Sequence, residues 1–239
     1  MRRARRVAIL LLLAVVLVPT LLLTAFGGSD ADLQPAAPAL AARLAPAGTP
    51  TPEVVAIYGN LRLQLPIAQS RVTAVGYHGG SAGAIALSPV GRQVNEGLFS
   101  RLVHKLFGGG SGNVRWYQLP GGVGPSTSAV DVGAAAGTDV YAPADGTVVA
   151  LHDLILNGRP YGQRVEIQPT DAPSVVVSVS HLRADPALKV GSAVVAGTSR
   201  LGTLLDFSAV ERQALARFTQ DAGNHVAVEV HPAATVALP

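Results

Sequence analysis

The sequence has no cysteine in 239 residues, which excludes disulfide bonds and a cysteine-linked lipid anchor. Charge is sparse too, at 14% of residues, and only Lys105 and Lys189 are lysines, against 16 arginines. The formal net charge of +3 is misleading, because Arg2, Arg3, Arg5 and Arg6 crowd the first six positions, where there is no acidic residue. The remainder carries a net −1. No basic face is left for nucleic acid, so the high isoelectric point belongs to the N-terminus alone.

What the chain has in abundance is apolar residues, 49% of the total. Residues 7–26 form an uncharged run of 20, VAILLLLAVVLVPTLLLTAF. As a helix this is about 30 Å long, the thickness of a bilayer's hydrocarbon core. Pro19 is tolerated in such a span when neighbouring groups satisfy the backbone. The arginines before it define residues 1–6 as a cytoplasmic basic segment. The expectation is therefore a single-pass signal anchor at the plasma membrane, with everything after residue 26 extracytoplasmic. A cleavable signal has a shorter apolar core, about 7–15 residues, which favours retention. Ala25-Phe26-Gly27 supplies a small-x-small site, and cleavage there gives a secreted protein instead.

Residues 27–52 hold five Pro and eight Ala without a period and read as a semi-rigid linker. Residues 53–120 form an uncharacterised α+β region. Leu61, Leu63 and Leu65 alternate with Arg62 and Gln64, the pattern of a half-buried strand, and Val72–Tyr77 is a second strand candidate. Residues 93–107 place Val94, Leu98, Leu102, Val103, Leu106 and Phe107 near one face of a helix ended by glycines 108–110. His78 and His104 have no partner at ligand spacing, and the simpler expectation is structural or surface histidines.

From 121 to 239 the texture is β. Short Val-rich runs are separated by Gly, Pro, Asn and Asp, which predicts an antiparallel barrel or sandwich with a few short helices. Asp145-Gly146 is a tight-turn candidate between Val140-Tyr141 and Val148-Val149. One helix is predicted over 209–220, where Ser208 and Glu211 have capping-box spacing.

Five pieces of this region occur in a meaningful order. They are Val130-Asp131-Val132 followed by Gly137-Thr138 in GTDVYAPADGTVVA, Ser180-His181-Leu182-Arg183, Val190-Gly191 to Gly197, Leu201-Gly202, and HVAVEV at 225–230. Together they resemble the lysostaphin-like (LytM-type) zinc endopeptidases of peptidoglycan, over roughly 121–231. The resemblance implies a duplicated hybrid β motif, Asp131 at a zinc-ligand position, and His181 and His225 at the family's catalytic positions. APADGTV also occurs in biotinyl- and lipoyl-type domains, but these carry a modified Lys at a hairpin tip, whereas Lys189 stands in Leu-Lys-Val.

The sequence departs from the family where the metal is held. Thr127 occupies the place of the ligand His four residues before Asp131, and Ala227 replaces the second His of the His-x-His pair. A catalytic zinc needs three protein ligands, and one carboxylate does not suffice. His231 lies on the same strand face as Ala227, about 13 Å along at ~3.3 Å per residue, and His152 has no evident route to the site. Residues 203–223 replace a short glycine-rich loop and would sit at the mouth of the groove. The expectation is a degenerate, non-catalytic domain without a cofactor, which binds peptidoglycan or docks a wall hydrolase or divisome protein, with 209–220 as partner surface. The alternative is an active zinc endopeptidase with displaced ligands.

Overall fold

A computed structural model describes residues 48–95, 114–156, 158–208 and 210–233. The expected membrane span at 7–26, the helix expected at 93–107 beyond residue 95, and His104 lie outside the described residues. Among the described residues, no helix is long and apolar enough to cross a membrane.

The fold is mainly β. In chain order the strands are β1 (Val54–Tyr58), β2 (Leu61–Gln64), β3 (Ala74–His78), β4 (Ser88–Pro89), β5 (Arg92–Gln93), β6 (Arg115–Gln118) and β7 (Ala129–Gly133). They continue as β8 (Asp139–Tyr141), β9 (Gly146–Leu156), β10 (Arg159–Pro169), β11 (Val175–Ala184), β12 (Ala193–Val194), β13 (Arg200–Leu204) and β14 (His225–Pro232). β2, β1 and β4 make a small sheet. The large sheet runs β12-β9-β10-β11-β14-β7-β3-β6-β5, and β13 branches from β11 to pair with β8. It is open, not a closed barrel, because neither β12 nor β5 finds a partner to complete the circuit.

The alternation of Leu61, Leu63 and Leu65 does bury those side chains, with Arg62 exposed. Two other local expectations fail. Asp145 lies between β8 and β9 and Gly146 opens β9, but these strands do not pair; β8 pairs with β13, and β9 with β10 and β12. The helix expected over 209–220 is only one 3₁₀ turn, Ala214–Arg217. Its capping box does not form: Ser208 Oγ bonds Asp206 instead, and the backbone N–H of Ser208 goes to Asn224. Leu215 is drawn into the sheet face, which pulls the chain off a helical path.

The core lies on one face of the large sheet. Val130 and Val132 of β7 meet Val75 and Tyr77 of β3 and Val226, Val228 and Val230 of β14 in one buried cluster with the Leu residues of β2. At about 1.5–3 kcal/mol for each buried large aliphatic side chain, this face holds the strands in register. Tyr77 stands edge-on to Trp116, with 5.0 Å between ring centres. Its hydroxyl donates to the Val55 carbonyl at 2.5 Å, tying the two sheets together. Strand alternation then sends Asp131 to the opposite face.

Candidate functional site

Asp131 is the middle residue of β7, a strand buried throughout. Its cross-strand neighbours are Ala227 on β14 and Gly76 on β3. Residues two apart on a strand share a face, so His225, opposite Gly133, and His78, opposite Ala129, flank the carboxylate. His78 Nε2 lies 3.2 Å from Asp131 Oδ1 and 3.1 Å from Oδ2. His225 Nε2 lies 3.5 Å from Oδ2.

His78 is the residue that sequence reasoning missed. Its partner is 53 positions away, so spacing within the sequence carries no trace of the contact. The available signal was the position of His78 two residues past Gly76, on a strand that alternates apolar residues. The sequence offers His78 no partner at ligand spacing, and the fold supplies one, Asp131. It comes from the segment 53–120, outside the region that carries the family resemblance.

The hydrogen bonds define the proton content of His78. Nδ1 is 2.6 Å from the Gly79 carbonyl, which only accepts, so Nδ1 carries a hydrogen. Nε2 faces a carboxylate and donates as well, making the ring an imidazolium. Burial alone would lower the pKa of His78, but the hydrogen bond and charge of Asp131 outweigh it and raise it to about 9. Asp131 is held below the ordinary carboxylate range: burial pushes it up, and the His225 charge, followed by the His78 hydrogen bond and charge, pulls it further down.

His181 reaches the cluster by a different route. β11 follows β14 as far as Ser180, then changes partner and follows β13 from Leu182. A bulge against β10 falls at the same place, and His181 takes φ +67°, the left-handed region, as no other described non-glycine residue does. Such a conformation is strained and re-aims a side chain. Its ring lies 4.8 Å from that of His225, edge to face. Burial, reinforced by the His225 charge, lowers its pKa to about 4, so it is neutral at physiological pH. Its Nδ1 is buried without a hydrogen-bond partner.

The two substituted positions are both unsuited to a metal. Thr127 turns away: its hydroxyl donates to the Leu87 carbonyl at 2.8 Å, while its own carbonyl accepts from Leu87 N–H at 3.1 Å. Ala227 presents a methyl group directly opposite Asp131. Zinc is the ion that the resemblance implies, and among the described residues no group of three His, Asp or Glu side chains is arranged to hold a metal ion. His78 Nε2 sits nearly equidistant from both carboxylate oxygens, as an ion pair does. The residues present do not fit the metal.

The other candidates fall elsewhere. His231 pairs with Glu229, Nε2 to Oε2 at 2.9 Å, and Glu229 also accepts from Ser81 N–H at 3.1 Å and Ser81 Oγ at 2.5 Å. This locks the segment after β3 to β14 beside the cluster. His152 stands opposite Arg164 on β10.

The insertion covers the site. Phe207 packs on His181 with the rings tilted and their centres 4.2 Å apart, and meets Tyr161 edge-on at 4.9 Å, while Tyr161 OH donates to the Asp206 carbonyl. Asn224 Oδ1 accepts from the N–H groups of Phe207 and Ser208. Farther along, Leu215 packs with Ala74 and Leu119, and Phe218 stacks on Tyr117 at 4.4 Å. Gly76 and Gly133 make room for this: a Cβ on either would come within 3.0 Å of the Leu215 side chain. Asp131 and His225 are consequently only 3% and 6% exposed. In the segment expected to offer a partner surface, Val210, Glu211 and Arg212 are exposed and Leu215 faces inward.

No protein-family model and no curated protein matches the chain. Among solved structures, its fold is similar to those of lysostaphin and M23 metallopeptidases. The lysostaphin solution structure is 19% identical over 44% of this chain and 36% of its own, with a TM-score of 0.33. The catalytic domain of the prophage-encoded M23 protein EnpA from Enterococcus faecalis is 21% identical over 47% and 73%, with a TM-score of 0.33. The M23 metalloprotease pseudoalterin is 13% identical over 71% and 70%, with a TM-score of 0.35. The chain thus spans about a third of the lysostaphin structure. The likeness is one of fold, and the chemistry of the site follows from its own geometry.

Proposed function

We propose that this protein is a degenerate LytM-like module of the duplicated hybrid motif type that associates with the cell wall and does not hydrolyse peptides. The observation that carries this reading is the Asp131 carboxylate, balanced by the His78 imidazolium, with no ligand at Thr127 or Ala227. A hydrolytic zinc site needs that carboxylate free for the metal and an open position for water. Here the neighbouring imidazole, His181, is neutral and covered by the Phe207 ring.

In this reading residues 7–26 anchor the chain in the plasma membrane, and residues 48–233 act outside it. The role is binding: peptidoglycan stem peptides, or a wall hydrolase or divisome partner. Full-length protein equilibrated with equimolar zinc and freed of excess should retain far less than one zinc per chain by elemental analysis. It should also release no new amines from purified sacculi, and should sediment with them. One retained zinc per chain overturns the non-catalytic reading, and failure to sediment overturns the wall-binding one.

A second reading, a zinc endopeptidase with displaced ligands, draws on one specific feature. His78 and His225 both anchor Nδ1 on a backbone carbonyl and turn Nε2 towards Asp131. Metal-binding histidines are oriented in the same manner. That reading requires stoichiometric zinc that is lost on His78→Ala.

A further inference from the structure

Residues 206–208, near the start of the insertion, are gripped by side chains that the sheet supplies. Tyr161 OH, on β10, donates to the Asp206 carbonyl. One buried amide, Asn224 just before β14, accepts through Oδ1 from the N–H groups of Phe207 at 2.9 Å and Ser208 at 3.0 Å. Its Nδ2 donates to Asp206 Oδ1 at 3.0 Å. The Phe207 ring, 2% exposed, fills a slot bounded by the rings of His181 and Tyr161, whose centres lie 4.2 and 4.9 Å away.

These are the contacts of a bound peptide: main-chain groups met by fixed side chains, and one aromatic anchor in a desolvated slot. The buried ring supplies most of the attraction, and the polar contacts fix its orientation. Nothing in the slot requires that its occupant belong to this chain. The exposed Val210, Glu211 and Arg212 separate this arm of the insertion from the arm docked through Leu215. Residues 206–208 can therefore leave the slot while Leu215 stays against Ala74 and Leu119. A tethered occupant competes at an effective concentration on the order of millimolar or higher, so it masks the slot from a weak free ligand.

We propose that residues 206–208 are a ligand held in cis, and that Tyr161, His181 and Asn224 form a subsite for a peptide carrying an apolar side chain directly after an acidic residue. The insertion then both covers the cluster and competes with the peptide that the groove takes. This rests on the reading of the groove as a binding site and names the chemistry it selects.

Calorimetric titration of the full chain tests this, with acetyl-Asp-Phe-Ser-amide and acetyl-Asp-Ala-Ser-amide as probes, up to about 10 mM. Phe207→Ala empties the slot and should bind the Phe peptide saturably, with the Ala peptide about tenfold or more weaker. Wild type should bind the Phe peptide about tenfold or more weakly than Phe207→Ala, because its own segment competes. Phe207→Leu, which keeps the slot filled by a smaller apolar side chain, should fall between them. Adding Tyr161→Phe to Phe207→Ala should weaken binding again. Absence of saturable heat from folded Phe207→Ala, equal affinity for the two peptides, or wild type binding as tightly as the variants overturns the proposal. If Phe207→Ala fails to fold, Phe207→Leu must still bind the Phe peptide more tightly than wild type does, and equal or weaker binding overturns the proposal. Protein that sediments with sacculi but fails this test sinks the cis-ligand account alone and leaves the wall-binding reading standing.

Discussion

Replacing His78 with Ala should destabilise the protein by an amount that depends on pH in a defined direction. The substitution leaves Asp131, 3% exposed, with only His225 Nε2 at 3.5 Å. Removing one partner of a fully buried ion pair costs about 3–5 kcal/mol. The His78 side chain is 23% exposed, so water offsets part of this, and about 2–3 kcal/mol is expected. For a domain of this size, each kcal/mol lowers Tm by roughly 2–4 °C, giving a fall of about 4–12 °C. The sign follows from linkage. The pKa of His78 rises from 6.5 unfolded to about 9 folded. Its contribution is therefore fully present below about pH 6.5 and fades as pH rises through about 9. Thermal unfolding of the wild type and variant, followed by circular dichroism at about pH 6, 7.5 and 9.5, should show the gap in Tm closing towards the alkaline end. Adding Asp131→Asn to the variant removes the stranded charge and should recover part of the loss. A gap constant across that range, or a double variant whose losses simply add, would refute the imidazolium–carboxylate account and leave only lost packing.

Two further substitutions probe the elements that frame the site. Leu215→Ala removes a fully buried side chain from the face of Ala74, Leu119 and the glycines of β3 and β7; it should cost about 2–4 kcal/mol in urea unfolding and open 205–223 to limited proteolysis, and an unchanged midpoint would show that the insertion is not docked. Gly122→Ala should prevent folding or cost about 3 kcal/mol or more, because φ is +76° and the new Cβ would fall 1.3 Å from the Gly79 carbonyl oxygen; soluble, equally stable protein would contradict the close approach of those two loops.

Much of the β architecture was legible because its signals are local. Leu61, Leu63 and Leu65 alternate, and the alternation is realised as buried and exposed sides of β2. Asp131, His181 and His225 were named from motif order, and they do converge. What could not be read depended on contacts between distant segments. His78 meets Asp131 because β3 pairs with β7, a choice made by core packing of Val75 and Tyr77 against Val130 and Val132 and not by anything near residue 78. The helix expected over 209–220 had local capping and periodicity in its favour, yet burial of Leu215 against the sheet prevailed over propensity. The apparent hairpin at Asp145-Gly146 failed for the same reason, with each flanking strand captured by a more distant one.

The pairing of β3 with β7 also fixes where the molecule can be divided. A fragment beginning at 121 has the recognisable motifs but lacks the strand that covers one edge of β7. Its bare N–H and C=O groups would then invite pairing with other copies. The same cut removes the cation beside Asp131. Residues 74–78, supplied as part of an upstream peptide, should act as a donated strand that restores both the edge and the charge balance.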